Sequence, residues 1–211
     1  DLPRIISRHV YGKKALDFGC GAGRSTRFLQ NLQFNTTGVD ISRDMVKKAR
    51  ERDPLGNYLV VGTGDLYQFA DNMFDLVLSV FTFDNIPTKE SKKNCLEEMA
   101  RVLNQSGRII NLVSSPLIYT HEWASFSTHE FPENRRAQNG DIVKIIMTDV
   151  PDRRPVEDVL YTDEAYRELF REAHVCVKET CCPLGKEDED IEWINETRIS
   201  PWVIYVLAKR L

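Results

Sequence analysis

Asp17-Phe18-Gly19-Cys20-Gly21-Ala22-Gly23 is the stretch whose residue types and spacing could do chemistry. Glycines let a backbone turn tightly and approach a ligand closely. The apolar pair Ala15-Leu16 leads into the loop, and Arg24-Ser25-Thr26 opens a helical stretch behind it. In that context the helix N-terminus offers free N–H groups to an anion. Spacing decides between ligands. The dinucleotide fingerprint G-x-G-x-x-G needs its third glycine where Arg24 stands. Here the third glycine comes one position earlier, at Gly23, and an acid, Asp17, sits two positions before the first. The bland alternative for such a loop is a tight turn and nothing more.

Short β-like runs alternate with helical stretches from residue 13 to 115 and place this loop. The runs are Ala15–Phe18, Thr36–Ile41, Tyr58–Val61, Phe74–Val80 and Arg108–Val113. Arg24 to Gln33 puts Phe28, Leu29 and Leu32 on one helical face. Ser42 caps a helix to Arg52, with Met45, Val46 and Ala49 inward. Thr88 caps another to Leu103, with Cys95, Leu96, Met99, Val102 and Leu103 inward, and Gly107 reads as its C-terminal signal. Strands alternating with helices of this length mean βαβ units and a mostly parallel sheet. The tail repeats the theme: a helix from Thr162 to Ala173, strands at 175–180 and 201–207, and an acidic loop between those strands. Residues 116–161 break the rhythm and carry two β-like runs of their own, Ile142–Thr148 and Val156–Tyr161. A structureless loop that long is improbable in a compact domain, so the stretch is expected to be a cap with a small hairpin.

Asp17 to Gly23 resembles the first motif of class I S-adenosylmethionine (SAM)-dependent methyltransferases. Further stretches follow in the family's order. Val39-Asp40 resembles the end of its second strand, and Ser42-Arg43-Asp44-Met45 the helix start after it. Gly64-Asp65-Leu66 resembles the third-strand segment, Phe74–Ser79 the fourth strand, and Glu97–Arg108 the helix and turn into the fifth. The likeness covers about 14–115, and more loosely 162–211. It implies a doubly wound, mostly parallel seven-stranded α/β sheet, Rossmann-like, with the cap inserted after the fifth strand. It also implies SAM as cofactor and S-adenosylhomocysteine as product.

The resemblance assigns cofactor contacts to Asp17, Gly19, Cys20, Gly21, Gly23, Asp40, Ile41, Asp65, Leu66 and Ser79. Asp40 would accept from two ribose hydroxyls, and Asp17 would suit the ligand's ammonium while loop N–H groups suit its carboxylate. Asp65 would accept from the adenine amino group beside the Leu66 backbone. Each has a plainer reading: Asp17 an acceptor within the loop, Asp40 a neighbour of a helix cap, Asp65 part of a turn. Cys20 reads as a small loop residue, not a nucleophile. Phe81, Phe83, Tyr119 and Trp123 are candidates for the acceptor pocket, with loop packing as their alternative. His121, His129 and Asp84 are candidates for a general base, although surface or packing roles suit either histidine alone. No spacing marks a metal site. The motif of amino-directed adenine methylation is absent, for Asp84-Asn85-Ile86-Pro87 does not match it, and no cysteine follows the fourth strand as cytosine-C5 chemistry would want.

The whole chain bounds these readings. It has 211 residues, 42% hydrophobic and 28% charged, which fits a soluble globular domain with one sheet unit plus the insertion. With 28 basic and 32 acidic residues the net charge is −4, a poor footprint for non-specific nucleic-acid binding. No apolar run is long enough to span a membrane. Five cysteines without a C-x-x-C pair fit reduced thiols in the cytoplasm. The chain opens at Asp1 without Met, so upstream residues are expected. The expected function is methyl transfer to O, N, C or S of a small acceptor. Two rivals stay open: a catalytically silent SAM-binding module and a nucleotide-cofactor oxidoreductase. The oligomeric state stays open too.

Overall fold

The computed structural model describes residues 1–210. Seven strands form one sheet in the order β3-β2-β1-β4-β5-β10-β9. They are β1 (Lys14–Phe18), β2 (Asn35–Asp40), β3 (Asn57–Val60), β4 (Phe74–Val80), β5 (Leu103–Ser114), β9 (Val175–Cys181) and β10 (Trp202–Lys209). The first five run parallel, and β10 is antiparallel to both β5 and β9. Leu76, Val77 and Leu78 are fully buried in sequence, as a strand covered on both faces requires. Strand order reverses at β1, between β2 and β4, so the loops after these strands diverge and leave a crevice at their C-terminal ends.

Helices α2 (Arg24–Asn31), α3 (Arg43–Arg52), α4 (Lys89–Val102) and α5 (Asp163–Glu172) connect the strands. Ser42, Thr88 and Thr162 cap α3, α4 and α5 through their hydroxyls. Two apolar layers result. Leu16, Val77, Ile109 and Tyr205 meet α4 and α5 on one face; Leu29, Leu76, Ile110 and Val206 pack on the other.

One element was not anticipated, and two expectations change. An N-terminal helix, α1 (Leu2–His9), buries Ile5 and Ile6 and is tied to β9 by Arg8 and His9, which reach Glu179 at 3.1 and 2.6 Å. Met45 lies on the outer face of α3, 39% exposed, while Val46 and Ala49 turn inward. Gly107 does not end α4. The chain passes straight from α4 into β5 at Leu103, and Gly107 lies within that strand. A Cβ there would come within 2.9 Å of the Asp75 carbonyl, so close strand approach explains the glycine.

Residues 116–161 build a second, three-stranded antiparallel sheet from β6 (Phe126–Ser127), β7 (Ile142–Met147) and β8 (Val156–Val159). The β7–β8 pair corresponds to the two β-like runs of the sequence. Tyr119, Trp123, Phe126, Val143 and Ile145 give this insert its own apolar cluster, with Trp202 of β10 packed against it. No helix of the described residues is long and apolar enough to cross a membrane.

Asn134 is the insert's polar staple. It is 3% exposed, donates to the carbonyls of Tyr119 (3.1 Å) and Lys144 (2.8 Å), and accepts from the Lys144 amide (3.2 Å). Asn134→Ala should cost about 2 kcal/mol or more, because buried backbone groups lose their partners. Urea unfolding followed by insert tryptophan fluorescence measures it; a loss under about 0.5 kcal/mol contradicts the staple.

Candidate active site

The glycine loop leaves β1 and is pinned on two sides. The Val39 carbonyl of β2 accepts the amides of both Gly19 and Cys20 at 2.9 Å. Thr82, just past β4, donates its hydroxyl to the Phe18 carbonyl at 3.0 Å. Gly19, Gly21 and Gly23 have φ of +76°, +51° and +80°, conformations that side chains with a Cβ disfavour. A Cβ on Gly19 would collide with Thr82 at 2.1 Å, and one on Gly23 would meet the Tyr58 hydroxyl at 2.7 Å. A Cβ on Gly21 would meet nothing within 4 Å. Packing therefore accounts for the outer two glycines, and the middle one faces open space.

Asp40 closes the loop from the other side. Its Oδ2 accepts the Gly21 amide and its Oδ1 the Ser42 amide, both at 2.8 Å. Two of roughly four acceptor positions are used, so two stay available to hydroxyls. Ile41 beside it is 62% exposed, an apolar surface at the rim. α2 begins at Gly23 without a side-chain cap, which leaves its first amides free for an anion.

Asp17 is fully buried. Its Oδ2 accepts from Ser25 (2.7 Å) and Thr26 (2.6 Å), as the plainer reading expected, while its Oδ1 has no partner within the protein. Burial lifts its pKa to about 6, the two hydroxyls working against the shift. The raised value means this carboxyl stabilises the fold fully below about 4 and loses that contribution as pH rises through about 6. A cationic partner at Oδ1 would offset the loss. Cys20 is 4% exposed, and burial with the nearby Asp17 and Asp40 charges pushes its thiol up, which makes it inert.

The third-strand segment differs from expectation. Leu66 is fully buried in the core, and its amide donates to Glu98 Oε2 at 3.2 Å, so neither its side chain nor its N–H faces the crevice. Asp65 stays at the rim, where Oδ1 accepts the Tyr67 amide at 3.0 Å and closes a turn. Ser79 of β4 is fully buried, with its hydroxyl unpartnered within the protein.

The candidates past β4 separate. Phe81 has φ +57°, an uncommon state for an aromatic, and packs on Trp202 at 6.0 Å. Phe83 is fully buried in the core near Phe18. Trp123 is core of the insert, with its indole N–H on the Ile118 carbonyl at 2.8 Å. His129 is exposed, and His121 Nδ1 is engaged locally by Thr120 (3.0 Å) and the Leu117 carbonyl (3.1 Å). Neither histidine joins the site.

Asp84 and Tyr119 do come together, with partners that sequence reasoning missed. Asp84 accepts the Ser114 amide at 3.0 Å. Asp158 of β8 accepts from the Tyr119 hydroxyl at 3.1 Å and from Asn85 at 2.6 Å. Lys92 of α4, fully buried, donates to the Phe83 carbonyl and lies 5.0 Å from the Tyr161 ring centre. Burial and the Asp158 charge raise Asp84 to about 7; burial lowers Lys92 to about 8. The missed signal was Lys92 itself, a charge on the apolar stripe with Cys95, Leu96 and Met99.

Strand order, crevice and loop define a doubly wound α/β protein with a candidate ligand site at the C-terminal ends of β1, β2 and β4. Residues 16–111 match the family model described as a methyltransferase domain. A demethylmenaquinone methyltransferase of Tropheryma whipplei (strain Twist) is 36% identical over 101 residues, 47% of this chain and 41% of that protein. A probable tRNA methyltransferase 9B of Mus musculus is 30% identical over 132 residues, 63% of this chain and 25% of that protein. The chain thus spans well under half the length of these curated relatives. A SAM-dependent methyltransferase structure from Methanosarcina mazei superposes with a TM-score of 0.70, 16% identity, and 98% and 97% coverage of the two chains. Residues 16–111 thus match a methyltransferase domain, the fold is that of SAM-dependent methyltransferase structures, and SAM is the cofactor such domains use. The residues present fit it: the open side of Gly21, the spare acceptors of Asp40 and the orphan Oδ1 of Asp17 match the ligand's polar groups.

Gly21→Val should weaken S-adenosylhomocysteine binding at least tenfold while costing the fold about 1–2 kcal/mol, the strain of a positive φ. Gly19→Ala should destabilise more, since its Cβ strikes Thr82. Calorimetry and thermal melts compare them; intact binding in Gly21→Val would contradict the assignment.

Proposed function

We propose that the protein transfers a methyl group from SAM to a small-molecule acceptor. The observation that carries the reading is the pairing of an intact cofactor loop with an enclosed polar cluster at the ends of β4 and β5. When bound, SAM supplies an electrophilic methyl group. The protein's own part is to bind, orient and exclude water, effects that make a two-body step behave as one-body. Gly21 and the free amides at the start of α2 would receive the carboxylate, Asp40 the ribose, and Asp17 the ammonium. Asp65 and Ile41 would border the adenine. Tyr119 and the insert would bound the acceptor.

Between the two kinds of relative, two features support the small acceptor over RNA. The net charge of −4 offers no basic footprint, and the chemistry past β4 is buried beneath the insert. The quinone-type relative acts on a small molecule by its name, in line with this reading.

Titration with SAM, S-adenosylhomocysteine and NAD tests the cofactor part. Asp40→Ala should lose at least tenfold in SAM affinity, since a charge-assisted bidentate contact is worth roughly 1.5–3 kcal/mol. Unchanged affinity refutes the ribose role, and NAD binding without SAM binding refutes the reading. Transfer of labelled methyl to a panel of hydroquinones, phenols and amines, against bulk tRNA as control, tests the acceptor class. Labelling of tRNA alone would overturn it.

A further inference from the structure

Two sets of buried polar groups meet on the α4–α5 face of the sheet, where the glycine loop's work ends. One is an unpartnered row. Ser79 of β4 stands opposite Asn111 of β5, and Asn111 opposite Tyr205 of β10. The Ser79 hydroxyl, both amide atoms of Asn111 and the hydroxyl of Tyr166 on α5 are buried with no partner within the protein. Orphaned buried polar atoms are costly, and here four gather in one neighbourhood. The other set is the charged cluster: Asp84 from the exit of β4, Lys92 from α4, and Asp158 and Tyr119 from the insert.

Asp84 links that cluster to the cofactor loop. Thr82, two residues before it, is the side chain that fills the space beside Gly19. The strained Phe81 (φ +57°) turns the chain so that Asp84 faces the Ser114 amide at the end of β5 instead of solvent. Strain of this kind persists where the surroundings hold it, and it gathers at sites of function.

We propose that Asp84 is the proton acceptor of the reaction, that its substrate is a protic nucleophile bearing an O–H or N–H, and that Asp158 and Tyr119 of the insert complete the site. The inference rests on the methyltransferase reading. The step balances simply. For a hydroxyl acceptor the O–H bond breaks, its electron pair stays on oxygen for the attack on the methyl group, and the proton passes to an Asp84 oxygen. For an amine acceptor the nitrogen attacks through its own lone pair, and an N–H bond of the resulting ammonium then breaks, its electron pair staying on nitrogen and its proton passing to Asp84. Ser79, Asn111 and Tyr166 supply hydrogen-bond partners for the acceptor's polar end.

The groups facing Asp84 set the pH behaviour. Asp158 from β8 is its negative neighbour and Lys92 from α4 its positive one, while the hydroxyls of Tyr119 and Tyr166, kept neutral by burial, also face it. Tyr161 sits beneath Lys92, and Tyr205 backs Tyr166. Burial together with the Asp158 charge raises Asp84 to about 7, and Lys92 works against that rise. A base must be ionised, so transfer should increase as pH rises through about 7.

Four variants test this: Asp84→Asn, Asp84→Glu, Asp158→Asn and Lys92→Met. Circular dichroism and S-adenosylhomocysteine affinity should match wild type, which separates this inference from failure of the cofactor reading. With hydroquinone, phenol and primary-amine probes, Asp84→Asn should lose at least a hundredfold in kcat, and Asp84→Glu should regain part of it. The second readout needs no acceptor. Carboxyl carbon NMR of the wild type should show an aspartate titrating near neutrality that is missing in Asp84→Asn. Asp158→Asn should move that midpoint down and Lys92→Met up, by about half a unit or more each. A merely structural cluster would not give opposite shifts. An Asp84 titrating in the ordinary carboxylate range, shifts of the same sign, or Asp84→Asn transferring methyl at the wild-type rate would overturn the proposal. If wild type binds SAM and methylates no probe, the small-acceptor reading fails, and the NMR result alone decides the proton site.

Discussion

The carbonyl of Val39 accepts two amides, those of Gly19 and Cys20, and the site depends on that doubled bond. It ties the turn after β1 to the exit of β2. Asp40, the next residue, reaches back to the Gly21 amide and forward to Ser42. The loop is thereby stretched between two strand ends, with its glycines in left-handed conformations that only glycine adopts cheaply. Thr82 closes the remaining side from β4. Three strand exits therefore position one loop, and a ligand meeting it finds amides and acceptors already in place. Such preorganisation lowers the entropic cost of binding.

The reversal of strand order that opens the crevice also separates two candidate regions. β1 and β2 carry the glycine loop and Asp40; β4 and β5, on the far side of the loop, lead to Asp84 and Ser114. The insert leaves from β5 and returns to α5, so its Tyr119 and Asp158 fall on this second side. Asn134 links the turn that carries Tyr119 to β7 of the insert, and Asn85, the residue after Asp84, donates to Asp158. Buried charges on the two parts must be satisfied together, which makes the seam between insert and sheet a specific contact instead of a loose apolar one.

Much of this was legible in the order of residues. Leu76, Val77 and Leu78 read as a strand because both faces of a central strand need apolar cover. Ser42, Thr88 and Thr162 read as caps because their hydroxyls replace missing backbone partners. The loop between β1 and α2 and the place of Asp40 at the end of β2 were legible because their reasons are local. The failures share a cause in long-range contact. Leu66 turned inward because Glu98, thirty-two residues on, takes its amide. Gly107 is a glycine for the sake of the Asp75 carbonyl, not for the helix before it. Trp123 looked like a pocket wall and is the insert's core. Asp158 lies in the β-like run at 156–161, but its place beside Tyr119 and Asn85 comes from the docking of the insert, which no local motif announces. Ile5 and Ile6 of α1 pack against the sheet, although eight residues gave too short a pattern to read.

One measurement bears most directly on the claim that the crevice at β1, β2 and β4 holds the cofactor. Uniformly nitrogen-labelled protein would be titrated with S-adenosylhomocysteine and its amide resonances followed. The account predicts the largest shifts at Gly19 to Gly23 and at Asp40 to Ser42, with smaller ones at Asp65 and from Phe81 to Asp84. Shifts confined to other faces, such as α5 and β9, or none at saturating ligand, would contradict it.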